Sequence, residues 1–184
     1  MRDLPHRPLE STNGDSWDRP RGAGPADVSD ISALDDPRLT GIPHQVVRHG
    51  PVSSLEEAAV ARRVEPSQVL KTMVVRRAQD DYMFVLVPGD RNISWPKLRA
   101  HLSVNRLSMP DADDAFRVTG YRRGTITPLG AAKAWPVLAD TRVTGVVSLG
   151  GGDHGVSITA DAADLIAALD AEVADVTEPS DDQD

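Results

Sequence analysis

Two hydrophobic periods alternate along residues 40–172. PHQVVRH (43–49) reads as a first strand, and SSLEEAAVARR (53–63) reads as a helix in which Ser54 and Glu57 have the spacing of a capping box. VLKTMVVRR (69–77) and YMFVLVP (82–88) flank the polar Gln79-Asp80-Asp81, the pattern of two strands joined by a short turn. SWPKLRAHL (94–102) predicts a helix capped by Ser94, and DADDAFRV (111–118) predicts another capped by Asp111 with acids in its first turn. TGYRRGTITPLG (119–130) is turn chemistry and predicts an ordered loop. WPVLAD, TGVVSLG and HGVSITA follow as strands, the last two joined by a Gly-rich connection, before DAADLIAAL closes the pattern as a helix starting near Asp161.

Strands interspersed with helices and joined by short turns predict an α+β domain, single and compact, with a mixed, largely antiparallel sheet flanked by short helices. The turns at Asp80-Asp81 and Gly150–Gly152 are too short for the crossovers of a doubly wound parallel fold. Residues 1–38, rich in Pro, Gly, Asp and Ser, lack periodicity and read as a disordered N-terminal tail, while residues 173–184 read as an acidic C-terminal tail. The folded domain is therefore expected at 40–172.

Composition narrows the chemistry. With 40% hydrophobic and only 4% aromatic residues among 184, the core is expected to be aliphatic. The absence of cysteine removes disulfides, thiolate nucleophiles and sulfur-ligated zinc, and the five histidines form no HxxxH or HExxH, so no metal is expected. No apolar run suits a signal peptide or a membrane span, which points to a cytoplasmic protein without a membrane partner. The net charge of −8 argues against nucleic acid only until it is located: residues 40–172 carry 15 basic and 15 acidic side chains. The basic ones, among them Arg62, Arg63, Arg76, Arg77, Arg106 and the pair Arg122-Arg123, fall mostly in the first two thirds, where they form either one basic face or an ordinary solvated surface.

Several residues stand out chemically. Lys71 lies in an otherwise apolar strand, pointing either to solvent or into a cleft where its ammonium could hold a phosphate or polarise a carbonyl. The segment Gly124-Thr125-Ile126-Thr127-Pro128 is either a structural turn or a place where backbone N–H groups bind an ester carbonyl and its oxyanion. Gly150 to Gly155 lacks the Lys-Ser or Lys-Thr of a P-loop and reads as a hairpin turn, with His154 either a surface turn residue or a proton shuttle. No GxSxG occurs, which removes a nucleophile elbow and leaves Ser148 without a nearby acid–base pair in sequence. Trp95 and Trp135, each before a proline, are either base-stacking platforms or partly buried at element starts.

The order VLKTMVV, FVLVPGDRNISWPKL, TGYRRGTITPLG, GGGDHGVSITADAADLIAAL resembles the YbaK/EbsC and prolyl-tRNA-synthetase-associated editing family over residues 42–171. The resemblance implies a trans-editing aminoacyl-tRNA deacylase that hydrolyses the ester of a mischarged tRNA, such as a Cys- or Ala-tRNA(Pro)-like substrate, with no cofactor and no enzyme nucleophile. It implies catalytic roles for Lys71, Gly124, Pro128 and His154, and substrate contacts from Thr72, Met73, Thr125, Ile126 and Thr127. Contacts to tRNA are expected from Arg91, Lys97 and Arg99. The 3′ aminoacyl end of a mischarged tRNA is the expected partner, with prolyl-tRNA synthetase as a second and DNA as none. The competing reading is a non-catalytic RNA-binding or regulatory module of the same fold.

Overall fold

A computed structural model describes residues 32–181. Its centre is the expected hairpin, β2 (Leu70–Ala78) antiparallel to β3 (Asp81–Pro88), turning at Gln79-Asp80. Asp80 takes a left-handed φ of 55°, which a short polar side chain tolerates in a tight turn. Tyr82, Phe84 and Leu86 project from β3 into one hydrophobic cluster, and Met83, Val85 and Val87 project into a second on the opposite face. A strand covered on both sides reads as a continuous apolar run, which is why YMFVLVP shows little alternation.

Parallel additions extend this hairpin. β5 (Val137–Asp140) pairs with β3, and β8 (Glu172–Ala174) pairs with β5, giving the order β2-β3-β5-β8. A second, antiparallel sheet runs β1 (His44–Arg48), β7 (Val156–Asp161), β6 (Val146–Gly150), with β6 and β7 joined by the Gly-rich hairpin. An isolated bridge from Val69 to Ser148 links the two sheets, and β4 (Arg91–Ile93) pairs with β9 (Thr177–Pro179) alongside. The mixed sheet and the short helices α1 (Pro37–Thr40), α2 (Leu55–Arg62), α3 (Trp95–Leu102), α4 (Ala112–Thr119) and α5 (Ala162–Ala168) make this an α+β domain, as the pattern predicts.

Capping explains most helix starts. Ser54 Oγ accepts from the Glu57 N–H at 3.1 Å, Asp111 Oδ1 from the Asp114 N–H at 2.8 Å, and Asp161 Oδ1 from the Ala163 N–H at 2.9 Å. Each such cap contributes about 1 kcal/mol. Two details differ from expectation. Glu57 reaches back to Ser53, at 2.7 Å from its N–H, and not to Ser54. Ser94 occupies the N-cap position of α3 but makes no cap bond with its side chain, because Pro96 removes one of the N–H groups such a cap would take.

Both expected domain boundaries are too narrow. Ala33 and Leu39 are fully buried in the first cluster, and Asp36 is buried beside them, so residues 32–38 belong to the folded body. At the other end Val176, between β8 and β9, and Thr177, the first residue of β9, are fully buried, where residues 173–184 are expected to be a tail. The physical reason is that a few fully buried apolar residues and specific hydrogen bonds hold segments whose average composition is polar. Residues 1–31 of the expected N-terminal tail, and 182–184 of the acidic one, lie outside the described residues. Among the described residues no helix is long and apolar enough to cross a membrane. Trp135 and Trp95 are partly buried: the Trp135 indole donates to the Val118 carbonyl at 2.8 Å and meets Tyr82 edge-on, while Trp95 packs on the second cluster.

Candidate active site

Strand β2 forms one wall of a cleft of about 520 Å³. Alternation turns Leu70, Thr72 and Val74 toward the first cluster and Lys71, Met73 and Val75 toward the second, so the strand presents opposite faces at successive residues. Lys71 is half-buried, and its ammonium donates to the Arg91 carbonyl and to Asn92 Oδ1 at 3.1 Å, both on β4. Burial pushes its pKa below the ordinary lysine value, and the negative charge of Asp90 pulls the other way. With two of its three protons directed at β4, Lys71 retains one donor for a ligand. Thr72 contributes a buried hydroxyl that has no hydrogen-bond partner among the described residues.

The opposite wall is the loop after α4. Gly124 has φ +91°, a backbone conformation open to glycine and strained for other residues. Thr125 and Thr127 are buried and fasten the loop: Thr125 Oγ1 donates to the Arg122 carbonyl at 2.8 Å, and Thr127 Oγ1 accepts from the Leu129 N–H at 3.4 Å. The carbonyls of Thr125 and Ile126 lie so near Gly150 that an added Cβ there would meet them at 3.5 and 3.3 Å. The Thr125 N–H is bound to Arg122, and Pro128 has none; this leaves Gly124, Ile126 and Thr127 with N–H groups that no described residue accepts.

Residues 32–38 brace this loop from behind. Asp36 accepts from the Gly130 N–H at 2.6 Å and holds Arg38 at 2.7 Å, Arg38 donates to the Pro128 carbonyl at 2.9 Å, and the Tyr121 hydroxyl donates to the Leu129 carbonyl at 2.7 Å. Burial works to raise the Asp36 pKa, but Arg38 and the Gly130 N–H outweigh it and bring it down to about 2.

The cleft thus joins residues that sequence reading treats separately. Lys71, Thr72 and Met73 from β2 line it together with Gly124 and Ile126 from the loop. His154 stands next to them, its Cε1 lying 3.9 Å from the position of a Cβ on Gly124. Val74, Met109 and Ala115 add an apolar lining, and Arg62 and Arg123 add cations. The Arg62 Nε is buried with no partner among the described residues, and burial lowers its pKa. Asp111 is the single acid of the lining, and its carboxylate already caps α4. Such a site suits a ligand with an anionic group at one end and a small apolar group at the other. Arg62 and Arg123 are visible in sequence as members of a basic run, but nothing in the run places them at the cleft. Met109, ahead of Pro110 and the Asp111 cap, carries no sequence signal of a lining role.

Three expected tRNA contacts lie elsewhere. Arg91 donates to Thr177 Oγ1 at 2.7 Å, and Lys97 is held by Asp175 at 3.0 Å and by the Thr177 carbonyl at 3.0 Å, so both bind β9 and its approach. Arg99, on α3, lines a separate groove. Among the described residues no group of three or more His, Cys, Asp or Glu side chains is placed to hold a metal ion.

Comparison with known proteins places this geometry. The sequence profile of the aminoacyl-tRNA editing domain family matches residues 49–168. A proline–tRNA ligase of Caldicellulosiruptor saccharolyticus is 35% identical over 79 residues, 43% of this chain and 14% of the ligase. That of Heliobacterium modesticaldum is 32% identical over 107 residues, 58% of this chain and 18% of the ligase. The chain therefore spans less than a fifth of the length of these relatives. The fold superposes on the crystal structure of a proposed trans-editing enzyme for prolyl tRNA synthetase with TM-score 0.69 at 24% identity, covering 80% of this chain and 97% of that one. It also superposes on a scaffold protein used for epitope grafting, with TM-score 0.73 at 23% identity over 84% of this chain and 99% of that one. Sheet order and cleft together define a compact α+β domain of the editing-domain fold. The chain belongs to the aminoacyl-tRNA editing domain family.

Proposed function

We propose that the protein acts in trans on a mischarged tRNA carrying a small amino acid, of the Cys- or Ala-tRNA(Pro) kind, and that the cleft between β2 and the Gly124–Pro128 loop is where the ester is cleaved. The observation that carries this reading is the convergence of Lys71, Thr72 and Met73 with Gly124 and Ile126 around one cleft, with His154 set against Gly124. The ester carbonyl is taken by the N–H groups of Gly124, Ile126 and Thr127, which stabilise the oxyanion as it forms. Lys71 presents its remaining proton to the terminal ribose or phosphate, and rotation of the Thr72 side chain brings its buried, unpartnered hydroxyl to the ligand. Arg62 and Arg123 add charge for a phosphodiester. A water molecule, or a nucleophilic group of the substrate itself, attacks the carbonyl while His154 relays the proton to the departing ribose oxygen. Pro128 contributes by fixing the loop, since its carbonyl is the anchor for Arg38.

Met73, Val74, Met109, Ala115 and Ile126 enclose the amino acid side chain. One methylene in such a pocket alters selectivity by ~1–3 kcal/mol, so a graded preference among small side chains is expected. Prolyl-tRNA synthetase fits as the partner that supplies mischarged product. The deciding experiment is deacylation of alanyl-, cysteinyl-, seryl- and threonyl-tRNA by the purified protein. Hydrolysis of alanyl- or cysteinyl-tRNA(Pro) with prolyl-tRNA(Pro) spared is the expected result. Tight tRNA binding with no hydrolysis of any ester would replace this reading with the non-catalytic module.

A further inference from the structure

A second concavity of about 620 Å³ opens beside the cleft, lined by Arg76, Arg77, Arg99 and Arg106 with Asn105 and Ser108 among its other residues. No Asp or Glu lines it. Among the described residues, Arg77 alone of the four arginines forms an ion pair, with Asp81 at 2.6 Å, and Arg76 makes a long 3.4 Å contact from Nε to the Ala78 carbonyl. Arg99 and Arg106 have no side-chain partner among the described residues. Some other cations are neutralised: Lys97 and Arg142 share Asp175, and Arg117 binds Asp114. In a chain of net charge −8, this groove gathers four arginines with no acid in its lining.

The groove and the cleft are separate concavities built from the same two segments. β2 lends Lys71–Val74 to the cleft and Arg76–Ala78 to the groove, and the connection between α3 and α4 lends Met109–Ala112 to the cleft and Asn105–Ser108 to the groove. Reciprocal backbone hydrogen bonds between Arg76 and Ser108, at 2.8 and 3.2 Å, lock the two segments together. Along a strand, Thr72 to Arg76 spans about 13 Å. A stacked nucleic acid strand advancing ~3.4 Å per nucleotide would cover that path with about four nucleotides.

We infer that this arginine groove binds the phosphodiester backbone of the tRNA acceptor strand as its 3′ end enters the cleft. The inference rests on the reading of the cleft as the aminoacyl-ester site and moves the main tRNA contact from Arg91 and Lys97 to Arg76, Arg99 and Arg106. Neutral donors at Asn105 and Ser108 suit phosphate and ribose oxygens, and the groove reads backbone, not base identity.

The test compares the full chain with the triple variant Arg76→Gln/Arg99→Gln/Arg106→Gln. Uncharged tRNA affinity, followed by fluorescence anisotropy across a salt series, should weaken at least tenfold, and the log–log salt slope should fall by about 2, at roughly 0.7 per lost phosphate contact. Hydrolysis of a 3′-aminoacyl-adenosine, too short to reach the groove, should change less than twofold. Unchanged tRNA affinity and slope would overturn the assignment. So would an equal loss in the Arg91→Gln/Lys97→Gln variant, or equal groove-dependent binding of a DNA duplex. If the wild-type protein hydrolyses no ester, the cleft reading fails alone, because the binding and salt-slope measurements still decide the groove.

Discussion

The two walls of the cleft are held in different ways. The β2 wall is one strand of a long hairpin, locked by an antiparallel ladder unbroken from Leu70 to Arg76, with a register shift before Ala78, and by apolar packing on both faces. The loop wall has no such ladder. Gly124 to Gly130 is held by scattered side-chain hydrogen bonds, and the main ones come from Asp36 and Arg38, about 90 residues away in sequence. A wall made of regular structure can carry a functional lysine with little consequence for folding. A wall made of side-chain braces ties its geometry to stability, so damage to either should register as damage to both.

The largest expected effect separates the walls through Lys71. Lys71→Ala should reduce kcat/KM for the edited tRNA by about 100-fold, the scale of removing one polar contact to the reacting group. Unfolding stability should stay within ~1 kcal/mol, because the ladder of β2 is untouched and a desolvated ammonium is removed. Urea unfolding and single-turnover deacylation measure the two quantities. A stability loss matching the activity loss would mean that the bonds of Lys71 to Arg91 and Asn92 are its main role.

Legibility in the sequence follows the same division. The β2–β3 hairpin, the β6–β7 hairpin and the capped helices α2, α4 and α5 are readable because period, turn residues and caps are local signals. Lys71 is singled out for the same reason, as a charge in an apolar run. The loop wall is readable only in part: Gly124 and Pro128 mark a turn, but no local feature announces that Asp36 holds it. Asp36 stands among Ser, Asp and Pro residues whose average suggests a tail, and its value lies in one hydrogen bond across the fold, to Gly130, and in a local pair with Arg38, which reaches Pro128. Strands β4, β8 and β9 are missed similarly, being three residues each and defined by their partners. Asp140 illustrates the point: fully buried, it binds the Val176 N–H at 3.0 Å, anchoring a segment expected to be free.

The second effect acts on the loop wall. Asp36→Ala leaves the Gly130 N–H and Arg38 without their acceptor and should destabilise the fold by about 2 kcal/mol, lowering the midpoint by roughly 4–8 °C. Deacylation should fall with it, since Pro128 loses its brace. The same carboxyl gives this region a pH signature. Its pKa is near 2 in the folded chain and about 3.9 in an unfolded one, so the stabilisation is fully present above about pH 4. It disappears as pH falls toward about 2, and amounts to about 2 kcal/mol. Asp36→Asn should flatten that part of the acid-unfolding curve. An unchanged curve would show that the brace does not depend on charge.

The smallest effect sharpens the comparison by reversing sign. Thr72 lies on the stable wall, but its buried hydroxyl has no partner among the described residues, an arrangement that lowers stability unless a ligand completes it. Thr72→Val removes the orphan oxygen with little change of shape, so the free protein should become more stable by up to ~1 kcal/mol. The cost should appear on the substrate side, as a few-fold rise in KM with kcat nearly unchanged, if the hydroxyl contacts the terminal ribose in both ground and transition states. Destabilisation would mean that an ordered water already satisfies the hydroxyl, and unchanged kinetics would remove Thr72 from the binding surface. An increase in stability coupled to weaker substrate binding is the signature of a polar group kept for its ligand and not for the fold. On the braced wall the coupling runs the other way, with stability and activity falling together.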